Sequence, residues 1–310
     1  MATTTTPNVR LSSLLPGPAG RAGLGGAIAS EFTKLRSVRS TYWTLGSLFV
    51  VSVGLSIAIT AGTAANFANN PQNKAGFDAT QISLGAFFEL GQLIIAVIGA
   101  MVITSEYSTG MIRTSLTAQP RRGVVYAAKA IVFTAVTLVI SFVTAFIAFF
   151  IGQAIYSSKG VSASLFHTVT IPASANVSCN PNSGCTAAFS GTDVITASTV
   201  LTAIIGTALF VTIVALIAFG VGSIVRHTAG AIAIVIALLF IVPVLEQTLP
   251  TDWRWDIMRF LPDAASRVIS VTVGGTNPHL WSAWPQLGVT ALWAAVLVGI
   301  GAYLFRTRDA

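Results

Sequence analysis

Apolar residues in this chain gather into six long stretches, at Tyr42–Ala65, Leu84–Thr104, Ile131–Ile151, Leu201–Val221, Ala229–Leu249 and Trp284–Phe305. Each runs for about 21–24 residues, against the ~20 that a helix needs to cross ~30 Å of hydrocarbon. None alternates apolar and polar positions with period two, as the strands of a membrane barrel do. The pattern predicts an all-α, polytopic membrane protein with six transmembrane helices. The third and fourth stretches extend as helices to about Val124–Tyr156 and Val194–Val225.

The polar segments between these stretches carry patterns of their own. Residues 1–26 are rich in Thr, Pro, Gly and Ala and lack the apolar run of a signal peptide, so they read as a disordered tail. Residues 27–308 then form one membrane domain. Ala27–Ser40 predicts a short amphipathic surface helix: Ile28, Phe32 and Leu35 fall at i, i+4 and i+7, Ser30 is a candidate cap, and Glu31 precedes Lys34, Arg36 and Arg39. Ser105–Gly123 has room for a short helix and a turn, ended by Gln119-Pro120. In Pro250–Ala283, Trp253, Ile257, Phe260 and Leu261 give a second apolar face. Pro262-Asp263 starts a possible further short helix through Ile269, and Trp281 and Trp284 mark re-entry into the interface.

Charge sets the expected orientation. Only 9% of residues are charged, the net charge is +7, and mean hydropathy is +0.78, whereas soluble domains carry about 25% charged residues. With the N-terminus in the cytoplasm, twelve of the 17 Lys and Arg fall on that side, among them Lys34, Arg36, Arg113, Arg121, Arg122, Lys129, Arg226 and Arg306. Lys74, Lys159, Arg254, Arg259 and Arg267 fall on the other. The excess predicts cytoplasmic N- and C-termini in a multi-pass protein of the plasma membrane. It explains the basic pI without nucleic acid, since no basic patch is interleaved with exposed aromatics. Cys179 and Cys185 form a C-x5-C pair in the long loop after span three, with Pro181 and Gly184 between them. On the extracytoplasmic side such a pair predicts a disulfide; a metal site is not expected, because His167 is the only imidazole nearby.

Several blocks resemble the permease subunits of ABC-2 type transporters, particularly actinobacterial exporters of the ABCG-like (type V) kind. These are EFTKLRSVRSTYWTL before span one, TSEYSTGMIRTSL after span two, PRRGVVYAAKA into span three, VRHTAGAIAI between spans four and five, and RFLPDAASRV before span six. The resemblance covers about residues 27–308, and SEYSTGMIR is its most specific block. It implies a permease of an ATP-driven exporter moving a drug, lipid or peptide. Such a permease pairs with a second permease chain, identical or closely homologous, and with two copies of an ATP-binding subunit that hold ATP and Mg. It also implies a surface helix at Ile28–Arg39 (Glu31, Phe32, Lys34, Leu35, Arg36) and an ATPase-coupling helix at Glu106–Leu116. The coupling residues named are Glu106, Tyr107, Ser108, Thr109, Gly110, Met111, Ile112 and Arg113.

The residues themselves agree with a transport subunit that is not an enzyme. No G-x-x-x-x-G-K-[ST] phosphate loop occurs; GPAGRAGLGG at 17–26 lacks its lysine. No HExxH or S-x-x-K motif is present for an intramembrane enzyme. An ion-coupled transporter would bury several ionisable groups mid-span, whereas only Glu89 and Glu246 fall inside the predicted spans. A non-transporting scaffold or receptor is the remaining alternative. Glu89, about 7–8 Å below the outer boundary, reads either as a snorkelling carboxylate or as part of the substrate path or gate. Glu246, after Pro243, reads as an interfacial residue beside a kink. Glu106 is expected to pair with a base on the ATPase, or with Lys34 or Arg36. The small residues Gly206, Gly220, Gly222, Gly299 and Gly301 read as helix-packing positions.

Overall fold

The computed structural model describes residues 23–37, 39–69, 79–112, 117, 121–160, 169–171, 193–195, 197–262 and 281–307. Along them run α1 (Leu24–Ser37), α2 (Arg39–Asn69), α3 (Ala79–Ser108), α4 (Arg122–Ser157), β1 (Val169–Ile171), β2 (Asp193–Ile195), α5 (Ala197–Val225) and α6 (Thr228–Ile236). A π-helical turn, Ala237–Ile241, leads into α7 (Val242–Glu246), followed by α8 (Thr251–Met258) and α9 (Ala283–Thr307). Six helical runs, α2, α3, α4, α5, α6–α7 and α9, are long and apolar enough to cross a membrane. The protein is an all-α, multi-pass membrane protein.

Two boundaries depart from the sequence expectation. Helix α1 begins at Leu24, inside the segment read as tail, so Ser30 is not its cap; the Ser30 hydroxyl donates instead to the Ala27 carbonyl, 2.8 Å away. Val194 is not helical either. It pairs with Thr170 in a short antiparallel ribbon, Val169 opposite Ile195 and Ile171 opposite Asp193. The β-branched pair Val194–Ile195 favours extended backbone, and α5 starts only at Ala197. Cys179 and Cys185 lie outside the described residues, as do Arg113 and the possible short helix after Pro262.

Helix α5 is the axis of the bundle. It packs most extensively on α3 and α9 and also touches α4 and α6. Lipid offers helices no hydrophobic reason to associate, so close backbone approach at small residues supplies the contact. A Cβ at Gly99 of α3 would lie 2.6 Å from the Ala215 carbonyl oxygen; one at Gly222 would lie 2.9 Å from that of Ala100. On the other side of α5, a Cβ at Gly220 would lie 2.8 Å from the Leu297 backbone. Gly220, Gly222 and Gly301 are therefore packing positions as read from the sequence, but Gly299 faces open space and Gly99 was missed. Phe88 stacks on Phe210 with ring centroids 4.5 Å apart, closing the same α3–α5 seam.

Span five is peripheral. Its first part, α6, packs on α5 and α3, while from the last residue of the π turn onward Ile241, Val244 and Leu245 are exposed. Pro243 has no N–H to donate, and the helix adjusts just before it: the Val242 N–H bonds to the Ala237 carbonyl, five residues back. The expected kink is thus a π turn. Glu246, read as an interfacial residue beside the kink, is buried, because α7 ends against α8.

At this far end α8 is fastened to span six. Gln286, Thr290 and Trp293, at i, i+4 and i+7 on one face of α9, donate to the carbonyls of Arg259 (2.8 Å), Pro262 (3.0 Å) and Phe260 (2.8 Å). The apolar side chains Trp253, Ile257 and Phe260 are turned outward, and Trp281 meets Phe260 edge to face. This is the position of an interfacial anchor.

The glycine seams give a first prediction. Gly99→Val forces α3 off α5 and costs roughly 1–3 kcal/mol, read as a lowered thermal midpoint in detergent. Gly54→Ala, where nothing lies within 4 Å, leaves the midpoint unchanged.

Candidate functional site

The end of the bundle carrying α1 holds the polar groups that sequence reading singled out. Helix α1 presents two faces, but not the expected ones. Ala27 and Glu31 are buried, one turn apart, whereas Phe32 is 53% exposed. The helix lies mainly against α4 and makes only a slight contact with α2, which follows it in the chain. The face turned to protein is therefore small and charged rather than apolar. Leu35 is half-buried, and Arg36 is exposed with its carbonyl accepting from the Tyr42 hydroxyl at 3.0 Å.

The reason for that face is Lys129. It sits two turns inside α4 with its side chain only 9% exposed. Its ammonium donates to Glu31 Oε2 at 2.7 Å and to Glu106 Oε1 at 2.6 Å. Glu31 also accepts from Lys34 at 2.5 Å, one turn along α1. Two carboxylates and two ammonium groups thus form one neutral cluster joining α1, the last turn of α3 and the start of α4. Burial alone pushes the Glu31 carboxyl up, but the charges and hydrogen bonds of Lys129 and Lys34 outweigh it and hold the group below the ordinary value of 4.5. Glu106 pairs with neither Lys34 nor Arg36: Lys34 is engaged with Glu31 on its own helix, and α4 delivers Lys129 instead. Sequence reading counted Lys129 only as a topology charge, although a lone lysine amid Tyr126, Ala127, Ala128 and Ala130 was a visible signal.

The segment expected to form a separate coupling helix is divided by the structure. Glu106, Tyr107 and Ser108 end α3 itself. Thr109 and Gly110 turn the chain, with Gly110 at φ +70°, a conformation that suits glycine. Helical backbone resumes at Met111 and Ile112, where Ile112 is 4% exposed in the core and Met111 is 48% exposed. Ile112 anchors the turn and Met111 projects from it.

A second joint lies beside the first. Helices α5 and α6 are linked by Arg226 and His227 alone. Arg226 adopts a left-handed backbone (φ 59°), uncommon for a residue with a side chain. Its guanidinium donates to the Leu304 carbonyl of α9 at 3.2 Å and lies 4.8 Å over the Tyr107 ring. His227 caps α6, its Nδ1 accepting the Gly230 N–H at 3.3 Å. Thr228 bonds Thr104 of α3 at 2.9 Å, and the Tyr126 hydroxyl meets both Ser223 (3.2 Å) and the Val298 carbonyl (3.1 Å). Every span from α3 to α9 is tied into this polar layer.

Glu89 is remote from it, toward the far end of α3. It is exposed on a spanning helix, and its nearest polar neighbour is Gln92, whose Nε2 donates to it at 3.5 Å.

The α1 end of the six-span bundle thus carries a polar layer that joins the helix ends. Residues 27–179 match the model of the family described as ABC-2 family transporter protein. No curated protein matches the chain. The matched region runs from α1 through span three and contains Glu31, Glu106 and Lys129. The chain is an ABC-2 type permease, the membrane subunit of an ABC transporter, and permeases of this family work with an ABC ATP-binding subunit.

The cluster predicts unequal effects of its members. Lys129→Met leaves two buried carboxylates facing each other and costs about 3–5 kcal/mol; Lys34→Met, at the wet edge, costs less than about 1 kcal/mol. Thermal unfolding in detergent distinguishes them. The pH dependence has a fixed sign. A carboxylate held low in the folded state contributes stability that is complete above its ordinary pKa and lost as pH falls through the lowered one. The thermal midpoint should therefore fall on acidification below about pH 4.5, with a shallower fall in Glu31→Gln.

Proposed function

We propose that the protein is one half of the membrane pathway of an ATP-driven exporter, and that an ATP-binding subunit docks on the turn Ser105–Ile112. The observation that carries this reading is the turn itself: Ile112 buried, Met111 projecting, and Glu106 held from behind by Lys129. An exposed apolar side chain on a rigid turn suits a groove on a partner. The excess of Lys and Arg at the α1 end supports a cytoplasmic position for that end, with both termini inside and the chain in the plasma membrane. ATP and Mg are then bound by the partner, two copies of which serve two permease chains.

Glu89 supports the pairing of two permeases. A carboxylate exposed on an apolar span is costly against lipid, so its face is better suited to a second chain and the substrate path between them. The moved compound is a drug, a lipid or a peptide, and the ABCG-like, actinobacterial resemblance favours export. On the outer side, Cys179 and Cys185 form a disulfide within the loop whose base is the β1–β2 ribbon.

Two measurements test this reading. Met111→Asp should weaken binding of the cognate ATP-binding subunit roughly tenfold or more, the scale of an interface hot spot, without changing the thermal midpoint; Glu106→Ala should weaken it while remaining folded, since Lys129 keeps Glu31. Wild-type binding by both variants removes the turn from the interface. Native mass spectrometry in mild detergent should show two permease and two ATP-binding chains, and an active complex with a single permease would overturn the pairing.

A further inference from the structure

Three segments meet at Lys129. Its own helix is span three, Glu106 rides on the last turn of span two, and Glu31 belongs to the helix that precedes span one. Because α1 lies chiefly on α4, its position is governed by span three rather than by the span it leads into. Tyr107, next to Glu106, carries the Arg226 guanidinium, which also holds the Leu304 carbonyl of span six. The docking turn is therefore not hung on span two alone. Short charge-assisted bonds run from it into α1 and span three, and such bonds are roughly twice as strong as neutral ones.

We propose that Lys129 is a positioning residue for coupling: it binds α1, the last turn of span two and the start of span three into one body, so that displacement of the docking turn moves span three. This rests on the docking reading above. A cluster serving stability alone behaves differently. Removing its three buried charges together, with side-chain shape kept and Lys34 left at the wet edge, is often neutral for folding; such a change spares a merely structural cluster and disables one that transmits motion.

The test uses the full chain in complex with its ATP-binding subunit in lipid nanodiscs, with Cys179 and Cys185 replaced by Ser. One pair of spin labels sits at Phe32→Cys on α1 and Arg121→Cys at the start of α4, both exposed and outside the docking turn, and reports the cluster body. A second sits at Val139→Cys on span three and Val296→Cys on span six, 62% and 49% exposed. Pulsed electron paramagnetic resonance compares nucleotide-free and ATP–vanadate-trapped complexes. In wild type the first distance should stay constant between the two states and the second should shift. In Glu31→Gln/Lys129→Met/Glu106→Gln, at ATP-binding-subunit concentrations that saturate the weakened docking, the complex should still form with a thermal midpoint within a few degrees of wild type. The first distribution should then broaden at least twofold, and the shift of the second should vanish. Lys129→Arg, which serves both carboxylates, should restore both behaviours. A bound triple variant that keeps the full shift, or a wild-type first distance that changes with nucleotide, overturns the role of Lys129 alone. A wild-type chain that fails to bind the ATP-binding subunit overturns the docking reading and this inference with it.

Discussion

Lys129 lies two turns inside a largely apolar helix, and its ammonium is stable there because Glu31 and Glu106 come to it from two other elements. Coulombic attraction at 2.6–2.7 Å in a site from which water is largely excluded decides how the α1 end of the protein is assembled. The buried face of α1 carries an acid rather than a row of apolar side chains. The turn after span two is held in one place, and the half-exposed Met111 projects from it. Charges buried this deeply are strongly unfavourable when one partner is missing, so the three segments form a unit or none of them is well placed.

The remainder of the bundle follows from a different constraint. Lipid surrounds the spans, and apolar side chains gain little by leaving it for one another. The protein brings backbones close at Gly99 and Gly222 on one side of α5 and at Gly220 on the other, where Gly301 makes room for the Ser223 and Tyr126 side chains. This makes span four the axis and leaves the far half of span five, beyond its π turn, only slightly packed on the other described spans. At the opposite end from α1, three side chains of α9 fasten the turn after α8. The two ends of the molecule are thus built differently: one is an ionic joint between helices, the other a hydrogen-bonded clasp carrying an aromatic surface.

An ABC-2 permease is a membrane transport subunit, and the docking proposed above asks of it that movement at one surface be converted into rearrangement of its spans. The polar layer at the α1 end is suited to that conversion because it is continuous. Glu31, Lys129 and Glu106 join α1, α4 and α3, while Tyr107, Arg226 and the Leu304 carbonyl extend the layer to α5, α6 and α9. Arg226 keeps a left-handed backbone whose cost, of order 1–3 kcal/mol, is offset by these two contacts.

The six spans, the all-helical class and the surface helix before span one could be read from the chain alone. Hydropathy and span length act locally: twenty apolar residues in lipid must satisfy their own backbone, and a helix does so without reference to the rest of the fold. The SEYSTGMIR block, itself a local signal, pointed to the family and to the turn after span two. The partners of the charged residues were not legible. Glu31 and Lys129 are 98 residues apart and Glu106 and Lys129 are 23 apart, and no local rule chooses Lys129 over Lys34 or Arg36 for Glu106. That choice is made when α1 docks on α4 instead of α2 and the ends of α3 and α4 come to the same depth. For the same reason Gly99 proved to be a contact and Gly299 did not: a small residue is common to many helices, and only the packing of one helix on another shows which of them the backbone needs.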